Sequence, residues 1–309
     1  MKTFAGRIAV ITGAGSGFGL ELARIAAQRK MRLVLADVEP GALAGAEGEL
    51  VGAGATVLAR VTDVSRAADV QALADETRAR FGVPHLLFNN AGVAAGGLLW
   101  ESSLEDWSWV LGVNLWGVIH GIRAFVPMMV EAARTDASYS GHVVNTSSMA
   151  GVVCPPLMGV YSASKHAVVA MTEALHHDFR LVDARMGASV LCPFYVATGI
   201  GASERNRPAE VARAAPATAS QRAAAAMVGK ALKGGKVTAA EVAASTFDAI
   251  EHDRFYVFSH PQLLDGVKAR MEDIVSGGTP SDPFAERPEV RDGIRAALAS
   301  AAAGAVKPR

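Results

Sequence analysis

The stretch Arg7-Ile-Ala-Val-Ile-Thr12-Gly13-Ala-Gly-Ser16-Gly17-Phe18-Gly19 decides the fold. Arg7 to Thr12 is a short, apolar, β-branched run that reads as a buried strand. An apolar helical pattern follows from Leu20 to Gln28. Glycines at such a strand-to-helix turn let the backbone come close to a pyrophosphate, and the free N–H groups at the helix start bind it. A glycine-rich turn is a weak signal by itself. The strand before it and the helix after it supply the context that the motif requires.

Working outward, the strand Arg32 to Ala36 ends in Asp37, eighteen residues past Gly19. A carboxylate there accepts hydrogen bonds from both adenosine ribose hydroxyls and repels a 2′-phosphate. Neither Ser16 nor Val38 is a cation that could hold that phosphate, so NAD is favoured over NADP. The βα alternation continues with a helix over 39–52 and a strand over 56–61, and Asp63 and Val64 fall where an adenine edge would lie. A helix over 67–81 leads to the strand His85–Phe88, then Asn89-Asn90-Ala91-Gly92, a small-residue strand end suited to close approach by a cofactor. Ser102 and Ser103, with Glu105 and Asp106 three residues on, give overlapping capping-box signals for one long helix to about Ala133. The remaining elements are a strand over 142–147, a helix over 158–182, a strand over 187–192, a helix over 238–250, a strand over 254–258 and a helix over 262–275. This pattern predicts an α/β fold with a doubly wound parallel sheet, its ligand at the carboxyl ends of the strands. Residues 1–275 form one domain, with 199–236 as mobile helical lid segments over the site. Residues 276–309 form a tail lying on the surface or on a neighbouring subunit.

Composition narrows the function classes. The formal net charge is zero, which gives no electrostatic case for nucleic acid or an anionic membrane. The apolar region from Trp107 to Ala133 carries Asn114, His120, Arg123 and Pro127 and reads as a buried helix, not a membrane span. Two cysteines and an N-terminus that runs straight into a strand point to a cytoplasmic protein. No His, Cys or carboxylate cluster has ligand spacing, so no catalytic metal is expected. The partner is a small molecule.

The chemistry centres on Tyr161-Ser-Ala-Ser-Lys165, with Ser148 thirteen residues upstream at the tip of a strand. Positions i and i+4 share a helix face, so the Tyr161 phenol and the Lys165 ammonium can enter one pocket. A fixed cation would stabilise the phenolate and bring it toward a working pH.

Jointly, Thr12-Gly13-x-x-x-Gly17-x-Gly19, Asp63-Val64, Asn89-Asn-Ala-Gly92, Asn114, Ser148, Tyr161-x-x-x-Lys165 and Pro193 through Thr198 resemble the short-chain dehydrogenase/reductases. The resemblance covers residues 4–200 and, more loosely, continues to 258. It implies hydride transfer between NAD(H) and an alcohol or ketone. Tyr161 would be the acid/base, Ser148 the partner of the substrate oxygen, and Lys165 the holder of the nicotinamide ribose that lowers the Tyr161 pKa. Asn114 would support a water relaying protons from Lys165, and Val196 and Thr198 would hold the carboxamide. The family usually has Pro-Gly after the sixth strand, whereas this chain has Pro193-Phe194-Tyr195. Phe194 should stiffen the turn and set an aromatic wall beside the nicotinamide. The long tail is similar to a bacterial subgroup that includes oxidisers of bulky aryl alcohols such as lignin-dimer Cα-dehydrogenases. Related relatives pair helices across a two-fold axis, which implies a homodimer or homotetramer.

Two other readings compete: a non-catalytic NAD-sensing protein on the same fold, and a sugar-nucleotide epimerase or dehydratase. The intact Ser148, Tyr161 and Lys165 and the short C-terminal part favour the dehydrogenase. Its substrate walls would come from Val93 to Leu98, Val152 to Met158, Phe194-Tyr195 and the segment from Gly199 onward, which carries Arg205, Arg207 and Arg213; the first three stretches have no Arg or Lys. They predict a neutral hydrophobic or aromatic secondary alcohol, with Met158, Phe194 and Tyr195 against it.

Overall fold

A computed structural model describes residues 1, 3–182 and 184–305 of the chain. Seven strands form one sheet, β1 (Ile8–Thr12), β2 (Arg32–Asp37), β3 (Val57–Val61), β4 (Leu86–Asn89), β5 (Gly141–Thr146), β6 (Met186–Cys192) and β7 (Tyr256–Phe258). Their order is β3-β2-β1-β4-β5-β6-β7, and every pairing is parallel. The centre of the sheet is covered on both faces, which is why β1, β4 and β5 are buried along their whole length. This is the doubly wound architecture that the alternating pattern predicts. The order reverses between β1 and β4, and the crevice at that switch point faces their carboxyl ends.

The helices divide into two layers. On one face α1 (Gly17–Gln28), α2 (Pro40–Gly52) and α8 (Ala239–Glu251) bury Leu22, Leu43, Val242 and Phe247 against Ile11, Leu33 and Leu35. On the other, α3 (Ala67–Phe81), α5 (Gly117–Thr135) and α6 (Gly159–Leu181) bury Leu73, Phe125, Met129, Leu175 and Phe179 against Val10, Val34 and Val143. Each fully buried Leu, Val or Phe contributes about 1.5–3 kcal/mol, which places most of the stability in these two layers.

The structure corrects the expected single helix over 103–133. The chain instead forms α4 (Leu104–Leu111), a wider π turn at Gly112–Trp116, and then α5. The extra residue in that turn re-aims the backbone at Asn114, a distortion frequent at functional sites. Of the two overlapping cap signals, Ser103 with Asp106 is the one used. Leu104–Thr135 is long and apolar enough to cross a membrane, yet half of its most apolar window is buried inside the fold.

The region after β6 is helical, as expected. It consists of 3-10 turns at Gly199–Asn206 and Ala209–Val211, then α7 (Ala219–Lys233). After β7, α9 (Asp265–Ser276) is followed by α10 (Pro288–Ala305). The tail lies on the surface with no buried residue among 276–299, and α10 packs against α7 with one side bordering the cleft. Residues 306–309 of the tail lie outside the described residues.

Candidate active site

The glycine turn is built for close approach. Gly17 has φ +53°, and a Cβ on Gly19 would lie 2.0 Å from the Gly13 carbonyl oxygen, so the turn closes only without side chains. Ser16 sits at the N-cap of α1 in extended backbone without a side-chain cap, leaving the first N–H groups of α1 pointing at the cleft. Thr12 ties this turn to the next strand end, its hydroxyl oxygen accepting from the N–H groups of Asn90 at 2.9 Å and Ala91 at 3.1 Å. The side chain of Asn90 bridges Thr12 O at 3.0 Å and Thr146 Oγ1 at 3.2 Å. Two strand tips and the first turn are thereby locked together.

Asp37 is held from both sides. Its Oδ2 accepts from Gly15 N at 2.8 Å and its Oδ1 from Glu39 N at 3.0 Å. Asp63 is turned inward on its own loop, accepting from Ser65 N at 2.9 Å and Ser65 Oγ at 2.7 Å. Gly13, Ser16, Gly17, Phe18, Asp37, Val38, Asp63, Val64, Asn90, Ala91 and Gly92 all border one cleft of about 1410 Å³. Gly19 lies behind it, its role being the closure of the turn.

The same cleft continues to the end of β5. Ser148, Tyr161 and Lys165 border it and are all buried, at 9 %, 8 % and 2 % exposure. Ser148 Oγ accepts from Ala150 N at 3.1 Å and donates to Pro193 O at 3.3 Å. Lys165 Nζ donates to Thr146 O at 2.8 Å and lies 5.7 Å from the centre of the Tyr161 ring. Burial pushes Tyr161 up to about 12, with hydrogen bonding from Ser148 pulling the other way. Burial pushes Lys165 down to about 8. The sequence predicts a depressed Tyr161; in the chain alone the shift is upward, because desolvation of the phenolate outweighs everything acting against it.

Asn114 is fully buried in the π turn. Its Oδ1 accepts from Val93 N at 2.8 Å, and its Nδ2 donates to Val93 O at 2.9 Å and Ser164 Oγ at 3.1 Å. A Cβ on Gly92 would stand 3.4 Å from Asn114 Oδ1 and 3.5 Å from Lys165 Nζ, so the two groups border the same small space.

The predicted wall residues are present. Met158 is buried at the start of α6, and Phe194 stacks edge-on against Tyr195 at 4.6 Å and His260 at 5.5 Å. The Phe194 N–H is fixed by Ser259 Oγ at 2.9 Å. Pro193, Val196 and Thr198 border the cleft beside them. Leu157 adopts φ +63°, a conformation rare for a side chain of its kind, in the loop that delivers Met158.

Other parts of the site are invisible to motif reading. Trp109 borders the cleft, and so do Phe284, Val290 and Ile294 from the tail. Exposed cations Lys230, Lys236 and Arg287 stand at its rim. Of the arginines in this segment, Arg207 Nη2 and Arg213 Nε meet buried Asp106 at 2.8 and 3.0 Å, whereas Arg205 borders the cleft and pairs with Glu39 at 3.3 Å. Their signal is faint, since only the fold brings residue 106 to residue 207.

Comparison with known proteins agrees with this geometry. The family described as short chain dehydrogenase matches residues 7–209. A CLA biosynthesis dehydrogenase/reductase of Lactiplantibacillus plantarum is 33% identical over 284 residues, 91% of this chain and 97% of that protein. A C alpha-dehydrogenase of Sphingobium sp. is 31% identical over 293 residues, covering 94% of this chain and 93% of the relative. A solved short chain dehydrogenase/reductase from Burkholderia phymatum, in complex with NAD, is 51% identical and superposes with a TM-score of 0.89, covering 92% of this chain and 99% of that one. With the glycine turn, the strand-end residues and Tyr161 and Lys165 on one cleft, the chain belongs to the short-chain dehydrogenase/reductase family.

Proposed function

We propose that this oxidoreductase moves a hydride between NAD(H) and a hydrophobic or aromatic secondary alcohol or its ketone. The observation that carries the reading is the meeting of Ser148, Tyr161 and Lys165 at the end of β5, in the same cleft as the glycine turn and Asp37. The open N-terminus of α1 fits a pyrophosphate, and the fixed Asp37 carboxylate fits a ribose diol. That the solved Burkholderia phymatum relative contains NAD supports the same choice.

The bound nicotinamide supplies the acceptor or donor of the hydride. The chain's own residues handle the proton. In oxidation the substrate O–H gives its proton to the Tyr161 oxygen as the carbonyl forms, and in reduction the Tyr161 hydroxyl returns it. The Ser148 hydroxyl can turn from Pro193 O to the substrate oxygen and hold it against Tyr161. Lys165, in a site where burial has lowered its proton affinity, is suited to exchanging protons with Tyr161 through the space it shares with Asn114. Apolar residues near these groups, Val93, Val153, Met158 and Phe194, exclude water and favour an apolar substituent on the reacting carbon. The test is the absorbance of reduced nicotinamide in a screen of secondary alcohols with NAD. No turnover of any aryl or alkyl carbinol would overturn the reading.

A further inference from the structure

The sequence offers no cation at the adenosine ribose, since Ser16 and Val38 occupy the nearby positions. The fold supplies one from far along the chain. Arg205, in the first lid turn, borders the cleft together with Ser16, Asp37, Val38 and Glu39. Its Nη1 donates to Gly199 O at 3.1 Å and Ala202 O at 2.9 Å, which fixes the guanidinium against the lid backbone. A Cβ on Gly199 would lie 3.5 Å from Arg205 Nη2 and 3.7 Å from Ser16 Oγ, so the guanidinium and the Ser16 hydroxyl border the same space over Gly199. Its remaining face meets Glu39 Oε1 at 3.3 Å, two residues past Asp37.

We propose that Arg205 is a phosphate-reading residue at the adenosine ribose, and that Glu39 cancels it so that the site prefers NAD. The inference rests on the cleft being a dinucleotide site. A 2′-phosphate would replace the hydroxyl facing Asp37 and would arrive beside both Glu39 and Arg205. In the unmodified chain it meets two carboxylates, with the guanidinium already engaged. The pair itself is easily exchanged, because both side chains are partly exposed, at 44% and 35%, and such surface pairs are weak. An Arg–phosphate contact is charge-assisted and can be bidentate, so a released Arg205 would favour the phosphate. Selectivity would then lie in three residues, with Asp37 and Glu39 repelling and Arg205 held in reserve.

The test is fluorescence titration of NADH and NADPH into the unmodified protein, Glu39→Gln and Glu39→Gln/Arg205→Gln. Neither substitution touches a buried group or a side-chain helix cap. Glu39→Gln is expected to raise the NADPH-to-NADH affinity ratio about tenfold, the size expected for unmasking one charged contact. The double substitution should return the ratio to near that of the unmodified protein. An unchanged ratio in Glu39→Gln, or a gain that survives the loss of Arg205, overturns the inference. If the unmodified protein binds NADPH more tightly than NADH, the reading of Asp37 fails while the differences between variants still judge Arg205. Binding of neither nucleotide by the unmodified protein removes the dinucleotide reading and this inference with it.

Discussion

The Lys165 ammonium lies 5.7 Å from the centre of the Tyr161 ring while its proton goes to the Thr146 carbonyl at 2.8 Å. Lys165 is therefore aimed by β5, and Tyr161 by the first turn of α6. The phenol can be altered without unseating the lysine. Tyr161→Phe should abolish turnover, lowering the rate by a hundredfold to ten-thousandfold or more, as expected on losing general acid/base help. NADH binding, followed by fluorescence, should stay within about threefold, because the ring remains to pack against Ala150 and Met158. A variant that keeps most of its activity would remove Tyr161 from the proton path.

Asp37 sets the cofactor preference in this reading. Its two oxygens are fixed by the N–H groups of Gly15 and Glu39, so its charge is held at the tip of β2. Asp37→Ser combined with Val38→Arg should weaken NAD and admit NADP by replacing a repelling charge with a phosphate partner. Steady-state kinetics with both nucleotides check this. A preference for NADP in the unmodified protein would contradict it.

Much of the site was legible because its parts are local: a strand, a glycine turn and a helix start lie within 7–19, and the i, i+4 pair within 161–165. Periodicity could not foresee the buried polar ladder in which Asn89 Nδ2 donates to Asn145 Oδ1 at 2.9 Å and Asn145 Nδ2 donates to Thr172 Oγ1 at 3.0 Å. Polar residues inside strands read as exposed, and only the register of β4 against β5 shows them to be partners. The π turn was hidden for a related reason, since one extra residue leaves the apolar pattern of a long helix nearly intact. The Asp106 node with Arg207, Arg213 and Gln221 joins residues about a hundred positions apart, and no local signal announces it. The tail's place on the cleft likewise depends on α7, which motif reading does not orient.

His142 predicts a pH dependence of stability. It is buried in β5, where its Nε2 meets Ser189 Oγ at 2.8 Å and Ser189 in turn donates to Arg254 O at 2.7 Å. Burial pushes the imidazole down to about 3, so the folded chain keeps it neutral. The unfolded chain takes up the proton near pH 6.5, and below that value it binds more protons than the folded one. Stability is then full above pH 6.5 and falls steadily as pH drops toward 3, by about 2 kcal/mol at pH 5 from this group. Urea midpoints at pH 7.5 and pH 5 should differ accordingly, and His142→Gln should shrink the difference. An equal drop in the variant would assign the acid sensitivity elsewhere.

Self-association is expected from large apolar side chains left exposed on the helices. Trp100, Leu104 and Trp116 are 81 %, 79 % and 52 % exposed, on or beside α4 and α5, and Leu181 at the end of α6 is 83 % exposed. Exposed apolar groups of this size suit a protein interface, and closed symmetric assemblies are the usual result. Light scattering at micromolar concentration should give a dimer or tetramer. Trp116→Glu with Leu104→Glu should shift it toward the monomer, and a monomeric unmodified protein would refute the expectation.

Substrate choice follows from the contrast between the inner wall and the rim. Val93, Val153, Pro155, Met158, Phe194 and Tyr195 line the cleft that holds Tyr161 and Ser148, while the lining cations Lys230, Lys236 and Arg287 are exposed. An aryl substituent burying roughly 100 Å² there would gain about 2.5 kcal/mol at about 25 cal/mol per Å². At about 1.36 kcal/mol for each tenfold in rate, that is close to a hundredfold in kcat/KM over a small polar alcohol. An aryl alkyl carbinol should therefore exceed a small hydroxy acid by about that factor. Met158→Lys, which places a charge on the inner wall, should erase the advantage. A preference for the anionic alcohol would mean that the rim and not the inner wall selects the substrate. In that case Arg287→Gln should raise its KM while leaving the carbinol unaffected.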